Sequence, residues 1–155
     1  YKRVFREEIF HPLSRLASNT TRSLEFFLSE RQSALTMIIQ DNSFADLGDE
    51  QRLATIFRNL KKSFGGFVDL GLIDAAGDQR SYVGPYALAG RNYRDQDWFQ
   101  EVSLRGVFVS DVFLGFRDFP HFVIAVRHDR EEGDFHILRA TIDRLRKEDR
   151  GGRGR

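Results

Sequence analysis

Residues Phe67–Val83 read FVDLGLIDAAGDQRSYV. At Phe67 the apolar pattern changes to period two with strand-forming residues, so Phe67–Ile73 is expected as a strand. Asp74-Ala75-Ala76-Gly77-Asp78 supplies turn chemistry, and Gln79–Val83 returns as the second strand. The rest of the chain is read outward from this hairpin.

Before it, Val4–Gln40 carries a helical pattern. Leu24, Phe27, Leu28, Leu35, Ile38 and Ile39 recur at spacings of three, four and seven, with Glu25, Glu30, Arg31 and Gln32 off that stripe. Pro12 kinks or opens the helix. A helix of about 30 residues would be ~45 Å long, longer than a domain of this size is wide. Asp41-Asn42-Ser43 reads as a stop. Asp49 caps a second helix with the stripe Leu53, Ile56, Phe57 and Leu60, ended by Gly65-Gly66.

After the hairpin, Gly84–Asn92 is rich in Gly and Pro and reads as a loop. Asp95–Leu104 reads as a short helix opened by acidic residues. Strands are expected at Val107–Leu114, His121–Arg127 and Phe135–Ile142, joined by turns at Gly115–Pro120 and Asp129–Asp134. Helices segregated from a meandering sheet make this an α+β fold: a long N-terminal helix, then a five-stranded antiparallel sheet flanked by short helices. The chain divides into an N-terminal helix at 1–48, a module at 49–143 and a charged Gly/Arg-rich tail at 144–155.

The 155 residues suit one domain. Lys and Arg number 24 against 23 Asp and Glu, a balance that gives no bulk attraction to nucleic acid. With no cysteine, disulfides, thiolate chemistry and Cys-ligated metal are excluded. No apolar run approaches the ~18 residues needed to cross a bilayer, and no secretory signal opens the chain. The first residue is Tyr1 rather than Met, so the chain reads as an excised piece of a longer protein. No nucleophile elbow, phosphate-cradling loop or triad order appears, so no enzymatic activity is expected of this chain.

Three segments carry a resemblance. VDLGLIDAAGDQRSYVGPY (Val68–Tyr86) resembles the first hairpin of Cache domains. NYRDQDWF (Asn92–Phe99) resembles their aromatic pocket segment. VFVSDVFLGFRDFPHFVIAVRH (Val107–His128) with ILRATID (Ile137–Asp143) resembles their later strands. The wording is most similar to the double Cache, PAS-like sensor regions of bacterial histidine kinases. The resemblance implies an extracytoplasmic, periplasmic ligand-sensing module of a membrane-anchored receptor, with Tyr1 just outside a membrane helix. It also implies a homodimer formed through the long helix, a small-molecule ligand and no cofactor. Kinase chemistry would lie outside this chain. The chain departs from the family where RLRKEDRGGRGR follows ATID in place of a second module. It departs again at the ligand motif. Amino-acid sensors of the family carry Arg two residues before the Trp, and here that residue is Gln96. The matching third-strand positions are Phe113 and Gly115. An amino acid held in the usual way is therefore not expected, and Arg91 and Arg94 are the candidate replacements for the clamp.

The candidate ligand-binding residues are Tyr82, Tyr86, Arg91, Tyr93, Arg94, Asp97, Trp98, Asp111, Phe113 and His121. Trp98 and the tyrosines offer aromatic walls with polar tips. Arg91 and Arg94 offer bidentate grips on a carboxylate, or else pair with Asp95 or Asp97. Asp111, if it faces inward, needs a partner. His121, His128 and His136 lack zinc-like spacing, so no metal is expected. Two other readings stay open. The fold could belong to a chemoreceptor or cyclic-dinucleotide enzyme, or the phenylalanines could fill the pocket and leave a protein-interaction module. The RGGRGR tail reads as linker, with no nucleic acid partner.

Overall fold

The computed structural model describes residues 14–110 and 121–143, with side chains of the first helix from Arg22 onward. The expected elements at 4–13, the strand and turn at 111–120 and the tail at 144–155 lie outside the described residues.

Three helices come first: α1 (Ser14–Asp41), α2 (Phe44–Gly48) and α3 (Glu50–Ser63). At 28 residues, α1 is about 42 Å long. Helix α2 was not expected; the Asp41-Asn42-Ser43 stop is at once a start, because the Ser43 side chain accepts from the Asp46 backbone N–H. Asp49 caps α3 as expected, accepting from the Gln51 N–H. Strands β1 (Phe67–Asp74) and β2 (Gln79–Val83) follow, then α4 (Asp97–Arg105), β3 (Val107–Val109), β4 (Phe122–Asp129) and β5 (Phe135–Ile142).

The sheet is antiparallel with five strands in the order β2-β1-β5-β4-β3. It is therefore not a simple meander. The last strand returns to pair with the first, placing β1 and β5 in the interior. Their sequences explain why. FVDLGLID and FHILRATI are buried along nearly their whole length, and only interior strands bury both faces.

The two faces differ. On one, Leu70, Leu72, Ile124, Val126, Leu138, Ala140 and Ile142 meet Leu35 and Ile39 of α1, Leu47 of α2 and Leu53, Phe57 and Leu60 of α3. Each such aliphatic side chain removed from water contributes ~1.5–3 kcal/mol, and this face supplies the main core. Polar ties fix the helices onto it. Ser81 Oγ donates to the Leu47 carbonyl at 2.7 Å. Arg31, expected off the apolar stripe, is instead buried. Its Nε and Nη2 donate to the Gly65 carbonyl at 3.2 and 3.1 Å, and its Nη1 donates to the Phe27 carbonyl and Glu30. The guanidinium lies 3.7 Å from the Phe27 ring centre, and these ties bind α1 to the start of β1.

Candidate ligand-binding face

The other sheet face is covered by the Gly84–Gln96 loop and α4. Ile73, Ala125 and Ile137 of the sheet form a second core with Tyr93, Phe99 and Val102, with Trp98, Phe108 and Phe135 packed around it.

The strand register sets one row across this face: Tyr82 on β2, Gly71 on β1, Arg139 on β5, Ala125 on β4 and Phe108 on β3. A central arginine thus stands between two residues with little or no side chain, with aromatic residues at both ends. The next row holds Asp69 and Thr141. Asp69 is buried and both its oxygens are occupied: Oδ2 accepts from the Tyr82 hydroxyl and Oδ1 from the Thr141 N–H, each at 2.9 Å. Burial, and then the neighbouring Asp69 charge, push the Tyr82 hydroxyl well above the usual tyrosine range, so it stays protonated and donating.

The turn of the first hairpin positions the roof. Gly77 has φ 93°, a left-handed conformation, and its carbonyl accepts from the Tyr93 N–H at 2.8 Å. Asn92 Nδ2 donates to Asp78 at 2.8 Å and to the Ala76 carbonyl at 3.1 Å, and Gln79 N–H donates to the Arg91 carbonyl. The chain at 91–93 is thereby laid along the hairpin, and Tyr93 points down onto the sheet. Tyr93 and Trp98 pack with ring centres 5.2 Å apart. Helix α4 then ends at Gly106 (φ 88°), and the Arg127 guanidinium ties it to the sheet by donating to the Ser103 carbonyl.

Arg139 sits beneath this roof at 7% exposure, with its central guanidinium carbon 5.0 Å from the Tyr93 ring centre and 5.5 Å from that of Trp98. Its Nε and Nη2 are buried and have no hydrogen-bond partner among the described residues. Gln79 lies alongside. Its Nε2 donates to the Leu88 carbonyl, while its Oε1 is buried without a partner, 2.1 Å from where a Cβ on Gly71 would stand.

Among the residues expected to bind ligand, the structure brings Tyr82, Tyr93 and Trp98 to this face. Tyr86 is half-buried and its backbone N–H reaches the Tyr82 hydroxyl. Arg91, Arg94 and Asp97 are exposed on the loop and the first turn of α4. His121 is buried at the entry to β4. Asp111 and Phe113 lie outside the described residues. Sequence reasoning missed Arg139, Gln79 and Asp69. The signal for Arg139 was its place between Ile137 and Thr141 in a strand whose alternation runs unbroken. Two clefts of about 690 and 740 Å3 lie on the helical side, the first between α1 and α3 and the second around the end of α3; neither is lined by Trp98. No group of His, Asp and Glu among the described residues is arranged to hold a metal ion.

No family model matches the chain, and no curated protein matches it in sequence. Solved structures do match. The ligand-binding domain of the Campylobacter jejuni chemoreceptor Tlp3, solved with L-valine, aligns over 96% of this chain and 64% of its own, with TM-score 0.61 and 16% identity. The Pseudomonas aeruginosa amino-acid chemoreceptor PctC, solved with GABA, aligns over 90% and 66%, with TM-score 0.64 and 12% identity. The extracellular domain of soHK1S-Z6, assigned as a histidine kinase, aligns over 94% and 64%, with TM-score 0.65 and 14% identity. The chain shares the fold of these ligand-binding and extracellular domains. It spans about 64% of the length of the Tlp3 domain. At these identities the likeness is one of fold.

Proposed function

We propose that this chain is a ligand-sensing domain of a membrane receptor and is itself non-catalytic. One observation carries this reading. The sheet face opposite the helices is roofed by a loop and a short helix, and it gathers Tyr82, Tyr93 and Trp98 around buried atoms of Gln79 and Arg139 that have no partner among the described residues. A core built only for stability leaves few such atoms. The structural neighbours are sensor domains of chemoreceptors and of proteins assigned as histidine kinases, and this supports the reading. Of the two receptor classes, we favour the histidine kinase, on the resemblance of the hairpin and the ATID segment. The location proposed is extracytoplasmic; no described helix is long and apolar enough to cross a membrane.

Ligand binding would favour one of two arrangements of the roof over the sheet, and α1, packed on the other side of the same strands, would carry the difference along its length. A homodimer through α1 is part of this proposal. Phe26 and Met37, 66% and 63% exposed, line the cleft between α1 and α3 together with Ile38, Ile56 and Phe64.

A thermal-unfolding screen against amino acids, amines, carboxylates, purines and sugars tests the reading. A ligand at 100 times its Kd stabilises by ~2.7 kcal/mol. At least one class should raise the midpoint, and Trp98→Ala should remove the effect. No shift from any class would refute the sensing function and favour a protein-interaction module.

A further inference from the structure

Arg139 and Arg31 are both arginines at 7% exposure, and they differ in what their donors meet. Arg31 gives Nε and Nη2 together to the Gly65 carbonyl. The same two donors of Arg139 meet nothing among the described residues, although both are buried. Nε and Nη2 form one edge of the guanidinium, with parallel N–H bonds spaced to match the two oxygens of a carboxylate. The rings of Tyr93 and Trp98 stand against the charge without taking a donor. The nearest carboxylate in the adjacent row, Asp69, is committed to Tyr82 and Thr141. On either side of Arg139 in its own row are Gly71 and Ala125, which put little or no side chain beside it, and the Gln79 side chain lies over Gly71. Gln79 Oε1, over Gly71, is an acceptor with no donor among the described residues.

We infer that Arg139 is the anchor for a small organic carboxylate, gripped through its Nε and Nη2 donors, and that Gln79 Oε1 receives a hydroxyl or amine donor on the same molecule. The surroundings select the class. A single cation under two aromatic rings suits a monoanion with a compact apolar body. Among the described residues beneath the rings, the paired Nε and Nη2 donors of Arg139 match the two oxygens and single charge of a carboxylate rather than the larger charge of a phosphate. The grip comes from the middle of the sheet, not from the loop position where the related sensors carry their arginine and this chain has Gln96. The inference rests on the sensing function proposed above and names its ligand class.

Trp98 is the single tryptophan of the chain, so its emission reports directly on this site. The test is a fluorescence titration with glycolate, lactate and 3-hydroxybutyrate at constant ionic strength, beside lactamide and the sensing panel. The hydroxy acids should change Trp98 emission saturably, and lactamide should not. Arg139→Lys, which keeps the charge and loses the paired donors, should weaken binding roughly tenfold or more. Arg139→Met should abolish it while the unfolding midpoint holds or rises, because a buried cation without partners is replaced by an apolar side chain of similar length. A lower midpoint in Arg139→Met with unchanged carboxylate binding would show a structural arginine and overturn the inference. So would an equal response to lactamide. If only a neutral or cationic compound changes the emission, the carboxylate class is wrong and the sensing function stands. Silence from every compound overturns both.

Discussion

The buried charges and imidazoles hold most of what is specific to this chain. Phe27, Arg31, Leu35 and Ile39 are spaced four apart, so Arg31 lies on the inward stripe of α1 and only its residue type places it outside. A reading of hydrophobicity alone misplaces it; a reading of position finds it, and the same holds for Arg139 at period two. Arg31→Ala should cost ~2–3 kcal/mol in urea unfolding, since the Gly65 carbonyl loses a charged partner and a ring contact is lost. His136 is 2% exposed, against Phe44 and His128, and neither ring nitrogen has a partner among the described residues. Burial, then the charges of His128 and Arg130, pull its pKa from 6.5 down to about 4, against an opposing pull from Asp134. The unfolded chain therefore binds the proton first as pH falls. Stability is whole above pH 6.5 and is lost between pH 6.5 and pH 4, by about 3 kcal/mol for a shift of this size. Unfolding midpoints measured across that window should show this slope, and His136→Phe should flatten it.

At the scale of elements, strands read best. The limits of β2 and β5 fall where the alternation and turn residues put them, and β1 differs by one residue. The pairing was not legible in the same way. Local alternation says which residues share a face, but not which strand lies beside which; that follows from β1 and β5 being buried on both sides, polar residues included. Helix α2 escaped because five residues carry less than two turns of periodicity. The β1–β2 turn and the roof are one unit. A Cβ at Gly77 would stand 2.8 Å from the Arg94 backbone nitrogen, at a φ that side chains rarely adopt. Gly77→Ala should cost roughly 1–3 kcal/mol and displace Tyr93, weakening any ligand response more than the loss of stability explains. Asp49→Ala, far from the roof, should cost about 1 kcal/mol through the α3 cap and leave ligand response intact. Chemical denaturation paired with Trp98 fluorescence separates the two cases.

Across the whole molecule, one sheet serves two tasks. Its helical face makes the main core and presents the α1–α3 cleft; its other face carries, under the aromatic roof, the Arg139 donors and the Gln79 acceptor that have no partner among the described residues. The sequence showed the aromatic half of that second face, in Tyr82, Tyr93 and Trp98. It did not show the polar half, because Asp69, Gln79 and Arg139 are brought to one face only by strand pairing. If the cleft is the dimer surface, Phe26→Glu with Met37→Glu should turn a dimer into a monomer in sedimentation equilibrium without lowering the unfolding midpoint. An unchanged association state would remove α1 from that role. The central claim is that ligand binds between the roof and the sheet. Amide hydrogen exchange with the compound giving the largest midpoint shift tests it most directly. Slower exchange should be confined to residues 84–105 and to β5 around Arg139. Slower exchange in α1 and α3 around the cleft, with the roof unchanged, would contradict the account.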